Sequence, residues 1–346
     1  MISANPRSAQ PAATEGSSGD WRRLWRDAIT DPLELLHVLG LEALAERLPA
    51  DAAGFPLRVP RGFVARMRHG DPHDPLLRQV LPLDLETLEV EGFGLDAVGD
   101  TAARSGRGVL QKYQGRALLV ATGSCAVHCR YCFRRHYPYA EDSAAANAWQ
   151  AALDTLEADP SVDEVILSGG DPLSLSTAKL RELSAQLLAL PQVRRLRLHS
   201  RLPVVLPERV DTDLIDWLAA LPLQKVMVIH ANHGREFDAS VARALSALRA
   251  AGLTVLNQAV LLRGINDTVE AQVDLAEASF AAGALPYYLH QLDRVAGAAH
   301  FEVPDTEALA LEAALRGRLP GYLVPKLVRE RAGANSKLPL VLTAET

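Results

Sequence analysis

The chain of 346 residues has only three cysteines, and all three lie between positions 125 and 132. A disulfide framework needs paired cysteines spread through a chain, so none is expected, and a reducing compartment fits. Excess positive charge is also missing. Lysine and arginine number 36 against 42 acidic residues, for a formal net charge of −6 and a sequence pI near 5.9. No basic block is long enough to form a phosphate-binding footprint, which argues against nucleic acid as a partner. Long apolar runs are absent as well: no segment is long enough to cross a bilayer, so no membrane partner is expected. The opening MISANPRSAQPAATEGSSGD has no apolar core of signal-peptide type. We therefore expect a cytoplasmic protein. The hydrophobic content of 48% is enough for one large catalytic core with a smaller attachment.

What is present divides into four stretches. Residues 1–18, rich in Ser, Ala, Pro and Gly, read as a disordered tail. Residues 19–107 read as a small, mostly helical N-terminal domain, in which Asp31-Pro32 opens a helix carrying Leu33, Leu36 and Leu39. From residue 108 to about 300 strands and helices alternate. Apolar runs mark strands at Ala117 to Thr122, Glu164 to Ser168, Arg195 to His199, Lys225 to His230, Val255 to Leu262 and Pro286 to Leu292. Between them, leucines and valines recur at helical spacing, as at Leu180, Leu183 and Leu187. Val269, Val273 and Phe280 mark the last of these helices, which Asp267-x-x-Glu270 should begin. Alternation of this kind builds a parallel sheet. Six units are too few to close an eight-stranded barrel, so the fold class expected is α/β, an open (β/α)6 partial barrel whose site lies at the C-terminal ends of its strands. Residues 301–346 form a C-terminal segment.

The unusual residues fall at those strand ends. Cys125, Cys129 and Cys132 follow the first strand as C-x3-C-x2-C. Three thiolates on one loop leave one iron of a [4Fe–4S] cube without a protein ligand, and an open iron can bind a substrate or cofactor. Zinc, completed by His128 or His136, is the other chemistry these ligands suit. The spacing resembles that of the radical S-adenosylmethionine (SAM) enzymes, which implies a partial barrel, a [4Fe–4S] cluster and SAM on the open iron. Ser168, Gly169, Gly170 and Asp171 follow the second strand, where paired glycines let a ligand approach the backbone closely. This segment resembles the one that holds the methionine part of SAM. His230, after the fourth strand, and Gln258, on the fifth, are the further SAM-side candidates.

Taken in order, SGGDPL, PVVLP, NQAVLLRGIND, PYYLHQLD and Gly333-Ala334-Asn335-Ser336-Lys337 resemble the lysine 2,3-aminomutases from about Trp21 to the end. The wording FPLRVPRGFVARM and GDPHDPLLRQVLP is most similar to the members that make β-lysine for elongation factor P. The resemblance implies an isomerase that converts α-lysine to β-lysine with a second cofactor, pyridoxal 5′-phosphate (PLP), on Lys337. A lysine amine is the side chain that attaches PLP. Lys112, Tyr113 and Arg116 match positions near PLP and suit its phosphate. Arg134 matches the group that holds the substrate's carboxylate, and Asp293 the one that receives its distal ammonium. The second such acid stands here as Glu330. The implied partners are free L-lysine, an electron donor such as flavodoxin or ferredoxin, and a functional link to elongation factor P. Two other readings stay open: an aminomutase for another amino acid, and a non-catalytic zinc-binding interaction protein.

Overall fold

A computed structural model describes residues 20–50, 54–145 and 149–341. The expected tail at 1–18 lies outside the described residues. The regular elements that open the chain are helices α1 (Asp20–Arg26), α2 (Pro32–Leu39) and α3 (Arg61–Val64), with short 3-10 turns between the prolines. Asp31 caps α2 through a 2.9 Å hydrogen bond from Leu33 N, and Gly40 ends it in the left-handed conformation. Leu33 is read with Leu36 and Leu39 as part of one helical spacing. Leu33 is nonetheless exposed, and Leu35, Leu36 and Leu39 are buried.

All strands join one sheet in chain order: β1 (Arg104–Gly106), β2 (Val109–Tyr113), β3 (Arg116–Thr122), β4 (Glu164–Gly169), β5 (Arg195–Ser200), β6 (Gln224–Ile229), β7 (Thr254–Val260), β8 (Leu285–His290), β9 (Lys326–Arg329) and β10 (Leu338–Pro339). The pairings from β3 through β9 are parallel; those at the two edges are antiparallel. The six expected strands are β3 to β8, and β9 adds a seventh parallel one. A flat sheet would set β2 and β9 roughly 34 Å apart, at about 4.8 Å per strand. Yet Tyr113 on β2 hydrogen-bonds Glu330, just past β9, at 2.6 Å. The sheet is therefore curled into a partial barrel. No pairing joins β1 to β10 among the described residues, so it stays open.

Helices α4 (Gln150–Glu157), α5 (Thr177–Leu187), α6 (Leu202–Val205), α7 (Thr212–Ala220), α8 (Ala239–Ala250), α9 (Val269–Ala281) and α10 (Asp305–Arg318) connect the strands. Each of α5, α7 and α8 buries leucines on the face its spacing sets. In α9 two expectations fail. Thr268, not Asp267, caps the helix by accepting from Ala271 N, because the Asp267 carboxylate is taken by Gly264 N. The buried face carries Gln272, Leu275, Ala276 and Ser279, and Phe280 is exposed. The N-terminal helices and the barrel share one continuous hydrophobic core, which fixes that segment against the cysteine loop.

Candidate active site

Strand β3 delivers the chain to the cysteine loop, and the end of β4 holds that loop in place. Gly170 N donates to Thr122 O at 2.7 Å and Asp171 N to Ser124 O at 2.9 Å. The glycines are needed for that approach. A Cβ on Gly170 would lie 2.7 Å from Ser124 O and 2.8 Å from Thr122 O, and Gly169 sits at φ +101°. Of the glycine pair expected to let a ligand approach, Gly170 gives its N–H to the loop. Asp171 is spent too: its carboxylate accepts from Leu173 N, Ser200 Oγ, Arg201 N and Leu202 N. It ties the end of β4 to the turn that follows β5.

The N-terminal segment clamps the same loop from outside. Arg130 pairs with Glu86 (Nε–Oε1 2.7 Å) and donates to Phe55 O, and Arg135 Nη2 lies 2.8 Å from Glu86 Oε2. His128 Nδ1 donates to Pro56 O at 2.8 Å and the ring stacks on Phe55, while His136 Nε2 lies 3.3 Å from Ala296 O. Each of these contacts occupies one ring nitrogen, Nδ1 of His128 and Nε2 of His136.

No group of three His, Cys, Asp or Glu side chains among the described residues is closed up as a metal cage. The sulfurs of Cys125 and Cys132 nonetheless feel the neighbouring thiols. Burial and then neighbouring negative charge, the other two cysteines included, push the Cys125 thiol up. Burial and then Cys129 push Cys132 up to about 11. Sulfurs whose thiolates are disfavoured by burial and mutual repulsion are stabilised by a bound cation. A trio with no fourth protein donor fits a cluster that keeps one iron open. On the strands, three buried polar atoms have no hydrogen-bond partner: His199 Nε2 on β5, Gln258 Oε1 on β7 and His290 Nε2 on β8. His230 touches Tyr131 Oη through Nε2 at 2.8 Å, and burial, helped by Arg201, drives it down to about 3, so it is neutral. His199 and His290 were missed by sequence reasoning; their strand-end positions were the available signal.

A second group gathers around Lys337. Its Nζ donates to Glu330 Oε2 at 2.6 Å and lies 5.8 Å from the centre of the Tyr288 ring. Glu330 also accepts from Tyr113 and has Lys112 Nζ 3.6 Å away. Although burial raises it, these partners, Lys337 foremost, hold its carboxyl below the usual range. Arg116 lies over the Tyr113 ring at 4.9 Å. Lys112, Tyr113, Arg116, Glu330 and Lys337 are thus brought together. Arg134 is buried nearby, with Nε 2.6 Å from Asp100 Oδ2 and a longer contact, 3.3 Å, from Nη1 to Ser168 Oγ. Asp100 also faces Lys112 Nζ at 2.7 Å. It lies in an irregular stretch that offered no sequence signal. Asp293 differs from Glu330: among the described residues its carboxylate takes no protein hydrogen bond, and it lines a cavity of about 420 Å³ with Glu330, Gly94 and Arg329. Burial pushes it up to about 7, with Glu330 and Asp100 adding to the shift and Lys337 and Lys112 opposing it.

The family model for the radical SAM superfamily matches residues 119–276, from β3 through most of α9. The chain is a radical SAM protein, and that class implies a [4Fe–4S] cluster and SAM. The L-lysine 2,3-aminomutase of Escherichia coli is 47% identical over 94% of this chain and 96% of its own length. That of Haemophilus influenzae is 44% identical over 92% and 94%, and that of Clostridium subterminale 31% over 93% and 78%. The chain belongs to the L-lysine 2,3-aminomutase family, and by that membership it is a radical SAM isomerase. Among the described residues no helix is long and apolar enough to cross a membrane.

Proposed function

We propose that this chain moves the amino group of free L-lysine from C2 to C3, giving β-lysine. When bound, the cluster with SAM supplies a carbon radical that takes hydrogen from the substrate, and PLP supplies the carrier for the migrating nitrogen. Cys125, Cys129 and Cys132 would hold the cluster; Ser168, Gly169, Gly170, His230 and Gln258 line the SAM side. Lys337 would attach PLP, with Lys112, Tyr113 and Arg116 on its phosphate. Arg134, whose guanidinium is held at Nε by Asp100 and at Nη1 by a long contact to Ser168 Oγ, would offer Nη2 to the substrate carboxylate.

The observation that carries the reading is the unpartnered carboxylate of Asp293 facing the cavity. Glu330 is already engaged by Lys337 and Tyr113, which leaves Asp293 to receive the distal ammonium. An acidic side chain placed against Asp293 would meet like charge there, while Arg294, Arg329 and Arg331 line other parts of the cavity. A lysine inside a polypeptide has no α-carboxylate for Arg134 and no free α-amine for PLP, and Nα-acetyl-lysine lacks that amine too. The likeness of the N-terminal wording to the elongation factor P branch supports β-lysine being passed to that factor's modification, with flavodoxin or ferredoxin as electron donor. The test is anaerobic incubation of reconstituted enzyme and SAM with L-lysine, L-glutamate or Nα-acetyl-lysine. Only L-lysine should yield a β-amino acid by chromatography; turnover of L-glutamate would overturn the assignment.

A further inference from the structure

Cys129 is surrounded differently from its two companions. The thiols of Cys125 and Cys132 have backbone N–H groups beside them, those of Asp171 and Arg134. Cys129 Sγ instead accepts from a buried cation, Arg201 Nη1, at 2.8 Å. Arg201 stands directly after β5, 6% exposed, and four further contacts fix it. Nη1 also donates to Tyr131 Oη at 2.8 Å. Nη2 donates to Gln79 Oε1 at 2.6 Å and to Glu236 Oε2 at 3.0 Å, and the backbone N donates to Asp171 Oδ2 at 2.7 Å. Glu236 is fully buried. It is fixed in turn by Gln79 Nε2 at 3.0 Å and Asn232 N at 2.8 Å. A cation and an anion buried side by side, with only the cation reaching a sulfur, make more than a structural tie.

Hydrogen bonds to the sulfurs, local net charge and solvent exclusion set the reduction potential of an iron–sulfur cluster. Reduction adds one electron, and a guanidinium on a ligand sulfur favours the form that carries the extra negative charge. A carboxylate behind that guanidinium works the other way. In a site closed to water neither effect is screened strongly. We propose that Arg201 and Glu236 set the potential of the cluster through Cys129, Arg201 raising it and Glu236 restraining it. The assignment rests on the reading that the three cysteines hold a [4Fe–4S] cluster. It adds residues that reach the cluster through Cys129, and so act as positioning and charge-setting groups.

The experiment compares anaerobically reconstituted wild-type enzyme with Arg201→Gln, Glu236→Gln and the double variant. Each is poised with dithionite and mediators in the absence of SAM, and the reduced cluster is counted by EPR. Iron content reports whether the cluster is present at all. Wild type without iron would defeat the cluster reading itself. With iron present, the midpoint should move down in Arg201→Gln, up in Glu236→Gln, and return toward wild type in the double variant. Arg201→Lys, which keeps the charge, should stay closer to wild type than Arg201→Gln. Three midpoints equal to wild type would overturn the proposal, as would two single variants shifted in the same direction. Should Arg201→Gln lose its iron, Glu236→Gln decides alone: an upward shift supports the proposal and no shift contradicts it.

Discussion

Lys337 Nζ donates to Glu330 Oε2 at 2.6 Å, so the amine assigned to PLP and one of the two acids assigned to the substrate hold each other. Seven residues apart on the turn from β9 to β10, they lie beside Tyr113 from the far side of the opening. This pairing places Lys337 at the seam of the barrel, far in sequence from the cysteine loop. Lys337→Ala should therefore lose the protein-bound PLP absorbance while keeping its full iron content. Borohydride fixation followed by peptide mapping checks the attachment point; label on another lysine would refute it.

Asp293 gives a pH signature. An aspartate in an unfolded chain titrates near about 4, and in the folded chain burial moves it up to about 7. Between these values the folded state keeps a proton that the unfolded chain has released. Stability is therefore lost as pH rises from about 4 to about 7 and stays lower above that. Asp293→Asn removes the penalty. In the cofactor-free protein its Tm should exceed that of wild type at pH 8 and differ little at pH 4. Lysine turnover should respond in the opposite sense. Wild-type kcat/KM rises as pH passes about 7 and the carboxylate forms, whereas Asp293→Asn is slow throughout and lacks that rise.

Asp100 compensates two cations at once, Arg134 and Lys112, and is itself 2% exposed. Removing one partner of a buried ion pair typically costs about 3–5 kcal/mol. Asp100→Asn should lower Tm by several degrees and raise the KM for lysine, because Arg134 loses the bond that orients it. Asp100→Glu should recover part of both. An unchanged KM would show that Arg134 needs no such support.

At Gly170 the obstacle to a side chain is backbone: a Cβ would stand within 2.8 Å of the Thr122 and Ser124 carbonyl oxygens. Gly170→Ala must push the cysteine loop away from β4, so reconstituted iron should drop well below wild type while the circular dichroism spectrum is kept. Gly317→Ala, with nothing within 4 Å, is the control and should retain its iron.

Much of this arrangement was legible because it follows from local chemistry. The cysteine spacing, the Asp31-Pro32 helix start and the six strands β3 to β8 each carry a signal within a few residues. Strand β9 does not, since Lys326–Arg329 is four residues long with a charge at either end, and only pairing with β8 makes it a strand. Asp100 escaped notice because its meaning depends on Arg134 and Lys112, brought to it by the curl of the sheet. The GGD segment lies at the strand end where it was expected, and its hold on the cysteine loop through Gly170 N and Asp171 N gave no signal in the sequence. A glycine pair looks alike in sequence whether a ligand or a neighbouring loop is what comes close. In α9 the valines suggested one inner face, and Gln272 and Ser279 occupy it because they find partners in Asn266 O and Ala284 O.

The central claim is that the radical chemistry at the cysteine loop acts on lysine held between Arg134 and Asp293. The most direct measurement uses L-lysine deuterated at C3 with reconstituted enzyme, SAM and a reductant under anaerobic conditions, followed by mass spectrometry of β-lysine and 5′-deoxyadenosine. We predict β-lysine as product and deuterium in the deoxyadenosyl group. SAM cleavage that leaves lysine unchanged and its deuterium in place would contradict the account.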